Sequence, residues 1–177
     1  MRYVALLRGI NVGGNAIIRM AELRECAADL GLEDVRTYIA SGNLLFRSPE
    51  RQASRLDTEL GRAIEERFGL RVPVVVRSAS EISRIASSIP AEWAGASDLR
   101  VTVAYLLRGA NARGIAAGLK PREGIDELAT APGALIWATR RDALTRTGLK
   151  VVGTDAYRSM TLRNATTALK LAELLRS

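Results

Sequence analysis

The stretch that decides the fold is VRTYIASGNLLFRSPERQASRLDTELGRAIEERFGLRVPVVV, residues 35–76. It begins with two short β-favouring runs, Val35 to Ile39 and Leu44 to Phe46, and the small, turn-favouring residues between them suit a hairpin. Apolar side chains then recur at four-residue spacing from Leu56 to Phe68, which predicts an amphipathic helix. Val72 to Val76 has the composition of another strand, with proline tolerated near its start.

A strand pattern and a helix pattern precede this stretch. The continuous run from Arg2 to Leu7 (RYVALL) predicts a strand that is buried on both faces. Apolar residues from Met20 to Leu30 fall at helical spacing, and Gly31 stands where a left-handed helix end is expected. The order is therefore β-α-β-β-α-β, the split βαβ or ferredoxin-like motif.

The second half of the chain repeats these signals less regularly. A short helix with Ser80 as its N-cap leads into it, and further strands are predicted at 99–107, 126–130 and 135–139, with helices at 111–119 and 166–176. A short fragment also recurs: Leu6, Leu7, Arg8, Gly9 and Asn11 are repeated as Leu106, Leu107, Arg108, Gly109 and Asn111.

These patterns predict an α+β protein made of two duplicated ferredoxin-like subdomains. The expected boundaries are 1–88 for the N-terminal subdomain and 89–177 for the C-terminal one, which carries the final helix. We expect the two subdomains to share a core, because a chain of 177 residues with 47% hydrophobic residues can bury a sizeable one.

The composition indicates a cytoplasmic protein that has no contact with a membrane. No apolar run approaches the roughly 18 residues that a membrane span needs, and the first residues have a strand pattern, not that of a signal peptide. The single cysteine, Cys26, cannot form an internal disulfide. This fits a reducing compartment.

Several kinds of chemistry are excluded by the residues that the chain lacks. It has no histidine and one cysteine, so Ser-His and Cys-His dyads and the usual zinc ligands are missing. Cys26 lies on the apolar stripe of the first helix, which favours a structural role. We therefore predict no metal site and no cofactor, and no catalytic residue is assigned.

The charge of the chain suits an anionic partner. The formal net charge is +7, and only three of the 26 basic residues are lysine. From Arg140 to the end there are eight basic residues and three acidic ones, so the positive excess is concentrated near the C-terminus. The alternative is that the arginine content reflects a GC-rich genome.

The loop RGINVGGN, Arg8 to Asn15, is the strongest candidate for an anion site. It joins a strand to a helix, and glycines there let backbone N–H groups approach an anion closely. The alternative is that the glycines make a tight turn and the asparagine caps the backbone locally. The candidate binding residues of this loop are Arg8, Gly9, Asn11, Gly13 and Gly14.

Two further segments are candidates for the same ligand. Arg163 and Asn164 stand at the predicted start of the C-terminal helix, where the helix dipole favours negative charge. A capping role would by itself account for Asn164. Ser41 and Asn43 flank Gly42 in the predicted hairpin connection, and the alternative there is a simple turn.

Four runs of residues resemble one known family. They are LLRGINVGG at 6–14, MAELR at 20–24, TYIASGN at 37–43, and the segment from Arg163-Asn164 to Lys170-Leu171. Their order and spacing are similar to those of the bacterial domain of unknown function family numbered 1697. The resemblance implies two similar α/β subdomains, a cytoplasmic bacterial protein, and no established activity or cofactor.

The residues favour a binding protein for a phosphate-bearing small molecule or a nucleic-acid backbone. An aromatic content of 5% argues against RNA recognition by base stacking. One alternative is an enzyme acting on a small phosphorylated or carboxylated substrate, with a carboxylate, lysine or tyrosine as general base. Another is a protein interaction module. The sequence leaves the oligomeric state open.

Overall fold

The computed structural model describes residues 1–14 and 16–176. Its internal contacts divide the chain into two units. The first unit is Met1–Ser80 together with the C-terminal residues from Glu173, and the second unit is Glu81–Ala172. The predicted C-terminal range, 89–177, starts later and ends later than the second unit. That the ranges 1–88 and 89–177 fold as independent domains stays a prediction.

The first unit has the predicted β-α-β-β-α-β order. Its elements are β1 (Arg2–Leu7), α1 (Met20–Asp29), β2 (Glu33–Tyr38), β3 (Asn43–Arg47), α2 (Ala53–Phe68) and β4 (Val74–Ser78). The strands form one antiparallel sheet in the order β2-β3-β1-β4. The strand predicted from Val72 starts after Pro73, since proline has no N–H to donate to a ladder.

Both helices of the first unit bury their apolar stripes in one core. The four-residue spacing of Leu56, Leu60 and Ile64 brings all three side chains against this core. Helix α2 ends at Phe68 as predicted, because the next residue, Gly69, adopts a left-handed conformation with φ of 67°. Cys26 is buried in the same core, and burial raises the pKa of its thiol, as is typical of a cysteine with a packing role.

The rest of the chain forms the elements of the second unit. The elements are α3 (Ala79–Ser87), β5 (Leu99–Leu106), α4 (Ala112–Gly118), β6 (Asp126–Ala131), β7 (Ala134–Arg140), β8 (Met160–Asn164) and α5 (Ala165–Arg176). The first residues of α3 and the last residues of α5 belong to the first unit. The predicted N-cap at Ser80 is wrong, because α3 already begins at Ala79. None of the described helices is long and apolar enough to cross a membrane.

The two sheets confirm the predicted duplication. The second sheet is antiparallel with the order β6-β7-β5-β8, which repeats the order of the first. Leu7 N donates to Gly42 O, and Leu106 N donates to Gly133 O, at 2.8 and 2.9 Å. Leu7 therefore corresponds to Leu106, so the recurring Leu-Leu-Arg-Gly fragment is offset by one residue from the structural repeat.

The two units differ in the connection to their last strand. In the first unit this connection is the helix α2, whereas residues 141–159 contain two short 3-10 turns, Arg141–Ala143 and Ala156–Ser159. The intervening sequence LTRTGLKVVGT, residues 144–154, is rich in β-branched residues and glycine, which disfavour a helix. An irregular segment therefore covers part of the second sheet.

Candidate functional site

The glycine-rich loop of the first unit is held together by the side chain of Asn11. Its Nδ2 donates to Ile18 O at 2.9 Å and to Ala40 O at 2.8 Å. Its Oδ1 accepts a hydrogen bond from Ile18 N at 2.9 Å. Because both amide hydrogens are used within the unit, the structure supports the local capping role for Asn11.

The glycines of this loop lie at the surface in left-handed conformations. Gly9, Gly13 and Gly14 have φ values of 72, 62 and 79°, which other residues rarely adopt. Arg8 N donates to Pro73 O at 3.0 Å, so this backbone group is engaged by the fold. Asn15 lies outside the described residues, and an anion site at this loop stays a prediction.

The hairpin segment lies beside the glycine-rich loop, as the bond from Asn11 to Ala40 shows. Asn43 is fully buried, and its Nδ2 donates to Tyr38 O at 3.0 Å and to Ser41 Oγ at 3.2 Å. These bonds are those of a turn that closes a hairpin. The structure thus brings two of the three predicted segments together and gives Asn43 a structural task.

Arg163 lies within β8, one residue before the position expected of a helix cap. Its side chain is 8% exposed, and its Nη1 donates to Thr161 Oγ1 at 3.0 Å and to Leu162 O at 2.7 Å. Burial lowers the pKa of Arg163 to about 10, so it stays protonated at neutral pH. Strand alternation puts its side chain on the face of its register partner Val103.

Asn164 is the N-cap of α5, as one of the two interpretations predicted. Its Oδ1 accepts a hydrogen bond from Thr167 N at 2.7 Å. Its side chain is on the sheet face opposite to that of Arg163, next to its register partner Thr102. Capping uses only Oδ1 of this exposed residue. The two hydrogens of its side-chain NH2 group therefore remain available to a ligand.

A cleft of about 560 Å³ opens on that face of the second sheet. Its floor is a row across three strands, Trp137, Thr102 and Asn164, with Arg100 further along β5. The irregular segment after β7 forms the opposite wall with Leu149 and other apolar side chains. The cleft therefore lies where the second unit has no counterpart of α2.

The charged side chains that line this cleft are all basic. Arg100 and Lys150 are exposed residues at its margin, and Arg163 borders it while its guanidinium is bonded elsewhere. Among the described residues no aspartate or glutamate lines it, and Arg100 takes part in no salt bridge there. Lys150 Nζ donates to Thr145 O at 2.7 Å, which leaves further ammonium hydrogens available.

Sequence reasoning missed Arg100 and Lys150. The available signal was the lack of a helical stripe in residues 141–159, since a missing layer over a sheet leaves room for a ligand. Nothing in the sequence pattern separates these two cations from the other basic residues. Their importance depends on the register of β5 and on the path of the irregular segment.

Asp126 anchors the irregular segment that forms the wall of the cleft. Its Oδ1 accepts from Thr139 Oγ1 at 2.8 Å and Thr147 Oγ1 at 2.6 Å. Its Oδ2 accepts from Arg122 N at 3.0 Å and Gly148 N at 2.8 Å. Burial alone raises the pKa of this carboxyl, but the four hydrogen bonds outweigh it and lower the pKa below its usual 3.8.

We expect Asp126→Asn to lower the free energy of unfolding of the second unit by about 1–3 kcal/mol at neutral pH. An amide cannot accept from all four donors, so buried groups lose their partners. Since the pKa of the folded carboxyl is lowered, its stabilising effect is complete well above pH 3.8 and is lost as the pH falls further. Urea unfolding followed by tryptophan fluorescence measures this, because both tryptophans, Trp93 and Trp137, belong to the second unit.

The control for this prediction is Asp98→Asn, which makes the same charge change at an exposed position in the same unit. Its midpoint should match that of the unchanged protein. The difference between Asp126→Asn and the unchanged protein should narrow as the pH is lowered below 3.8. A difference that stays constant with pH would contradict the role assigned to this carboxylate.

Comparisons with known proteins agree with the fold. The family model described as "Protein of unknown function (DUF1697)" matches residues 1–137. A solved structure of a conserved bacterial protein from Streptococcus pneumoniae is similar over 98% of each chain, with a TM-score of 0.84 and 28% sequence identity. No curated protein matches the sequence. The structural similarity thus extends past residue 137, where the irregular segment and β8 lie.

Proposed function

This chain belongs to the family of proteins of unknown function called DUF1697, and we propose that it binds a small anionic ligand with an apolar body. The binding site is the cleft of the second unit. The observation that carries the proposal is the combination of Arg100 and Lys150 with a lining that has no acidic side chain among the described residues. This anion class was also the one favoured by the net charge of the sequence.

The polar groups of the cleft are suited to a carboxylate or a phosphate group. The guanidinium of Arg100 can donate two parallel hydrogen bonds to such a group, and no carboxylate of the described chain competes for it. Lys150 adds a second positive charge, and Asn164 adds neutral amide donors. Because the cleft is partly enclosed, these charges act more strongly than they would in bulk water.

The apolar part of the lining is suited to the body of the ligand. Trp137, Leu149, Val151 and Leu162 form an apolar surface beside the basic margin. The volume of about 560 Å³ falls within the range of ligand pockets, roughly 300–1,000 Å³. A small amphipathic molecule fits this description better than a nucleic-acid backbone, which would need a longer basic surface.

The cleft is preferred over the glycine-rich loop for a physical reason. Asn11 is one of the candidate binding residues of the loop, but its side-chain amide donates both hydrogens to Ile18 O and Ala40 O. The loop site, an enzymatic role and an interaction module stay predictions.

We expect Arg100→Gln to weaken the binding of anilinonaphthalene sulfonate at least about tenfold, since a hydrogen bond to a charged group contributes roughly 1.5–3 kcal/mol. This dye is a small apolar molecule with one negative group, and its emission rises in an apolar site. Energy transfer from the two tryptophans, Trp93 and Trp137, provides a second readout that the dye binds to the second unit. The measurement is a titration at constant ionic strength.

Arg113→Gln is the matched control, because it removes the same charge from an exposed position of α4 in the same unit. The dye affinity of this variant should equal that of the unchanged protein. Equal losses in both variants would show that only the net charge matters. If Arg100→Gln binds the dye as tightly as the unchanged protein, the cleft is not the binding site for the anion.

A further inference from the structure

A second cavity of about 480 Å³ adjoins the cleft within the second unit. Arg100, Leu144 and Asn164 line both, so the two spaces meet at these side chains. Arg100 and Asn164 come from the sheet, and Leu144 comes from the irregular segment. The second cavity therefore begins at these shared side chains, and Leu99 and Val101, which line it but not the cleft, extend it toward the other face of β5.

The second cavity has the same chemical character as the cleft. Its own cation is Arg141, which is exposed and takes part in no salt bridge in the described part of the chain. No acidic side chain of residues 1–14 or 16–176 lines this cavity either. Trp93 and Leu169 supply apolar surface, and the side chain of Leu169 is 40% exposed.

Three cations line these two adjoining cavities. Lys150 lines only the cleft, Arg100 lines both cavities, and Arg141 lines only the second. A single small anion at Arg100 would leave Lys150 or Arg141 without a negatively charged partner. The apolar side chain of Leu144 at the junction is suited to the uncharged part of a longer molecule.

We infer that the ligand is an elongated dianion, with two negative groups joined by an apolar segment. This inference rests on the proposed function and specifies its ligand class. One negative group lies between Lys150 and Arg100 in the cleft. The apolar segment passes Leu144, and the second negative group lies beside Arg141.

The test compares two probes that differ in one negative group. Octanoate and octanedioate have chains of the same length, and each is titrated against the dye-bound protein. We expect octanedioate to displace the dye at a concentration about tenfold lower than octanoate, because it gains a charged contact at Arg141. Arg141→Gln should abolish this preference and leave the displacement by octanoate unchanged, whereas Arg141→Lys should retain most of it.

The possible outcomes separate this inference from the proposed function. Equal displacement by the two probes, or equal weakening of both by Arg141→Gln, overturns the dianion and leaves the anion-binding cleft intact. If neither probe displaces the dye and Arg100→Gln binds the dye as well as the unchanged protein does, both the anion-binding cleft and the dianionic ligand are overturned. Arg113→Gln is again the control and should keep the full preference for octanedioate.

Discussion

Gly148→Ala is expected to lower the free energy of unfolding of the second unit by about 3 kcal/mol and to abolish dye binding in the cleft. A Cβ atom at this position would lie 1.8 Å from Lys120 O, a backbone atom that cannot turn away. The segment would have to move, and Gly148 N would lose its hydrogen bond to Asp126 Oδ2. That bond is one of two by which Asp126 holds the segment that forms the wall of the cleft.

Urea unfolding monitored by tryptophan fluorescence measures this effect, since Trp93 and Trp137 both report on the second unit. The control is Gly118→Ala, at a helical position in α4 with open space around the added atom. It should leave stability unchanged or raise it by about 0.5–1 kcal/mol. A midpoint for Gly148→Ala equal to that of the control would mean that the segment accommodates a side chain there.

Gly42→Ala is expected to destabilise the first unit by about 2–5 kcal/mol. Gly42 has a φ of 78°, where a Cβ atom costs about 1–2 kcal/mol. The same atom would lie 2.8 Å from Leu7 Cβ and 3.0 Å from two carbons of Ile10, which adds an overpacking cost of about 1–3 kcal/mol. Far-ultraviolet circular dichroism measures the loss, because the tryptophans do not report on this unit.

Substitutions at two other glycines of the first unit distinguish the cost of the positive φ from the cost of overpacking. Gly69→Ala carries the strain of a positive φ, 67°, with nothing near the added atom, so it should cost less than Gly42→Ala. Gly61→Ala lies in α2 with open space and should stabilise the protein by about 0.5–1 kcal/mol. If Gly42→Ala and Gly69→Ala cost the same, packing against Leu7 contributes nothing.

The regular elements could be predicted because their signals are local. The run from Arg2 to Leu7 was assigned to a strand with the bounds that the structure has, and α2 ends at Phe68 as its spacing indicated. Errors occur at the ends of elements, where residue type alone does not fix the first helical residue. Ser80, for example, is a good N-cap residue by type, but α3 begins one residue before it.

The candidate binding residues were harder to judge because their side chains have two uses. Asn11 and Asn43 are equally suited to a ligand and to a backbone carbonyl, and only the position of Ala40 O and Tyr38 O shows which use applies. The sequence predicts Arg163 at the start of the C-terminal helix. Its place in β8 instead buries its side chain, and Nη1 donates hydrogen bonds to Thr161 and Leu162.

The sequence by itself determined the order of the elements in the first unit, the duplication and the family, because these depend on periodicities and motifs within short windows. The strand β8 was not among the predicted elements of the second half. Only the tertiary structure decided where a ligand has room. The cleft joins Arg100, Trp137, Lys150 and Asn164, residues far apart along the chain. Strand register and the anchoring of residues 147–148 by Asp126 bring them together, and no local pattern encodes such a meeting.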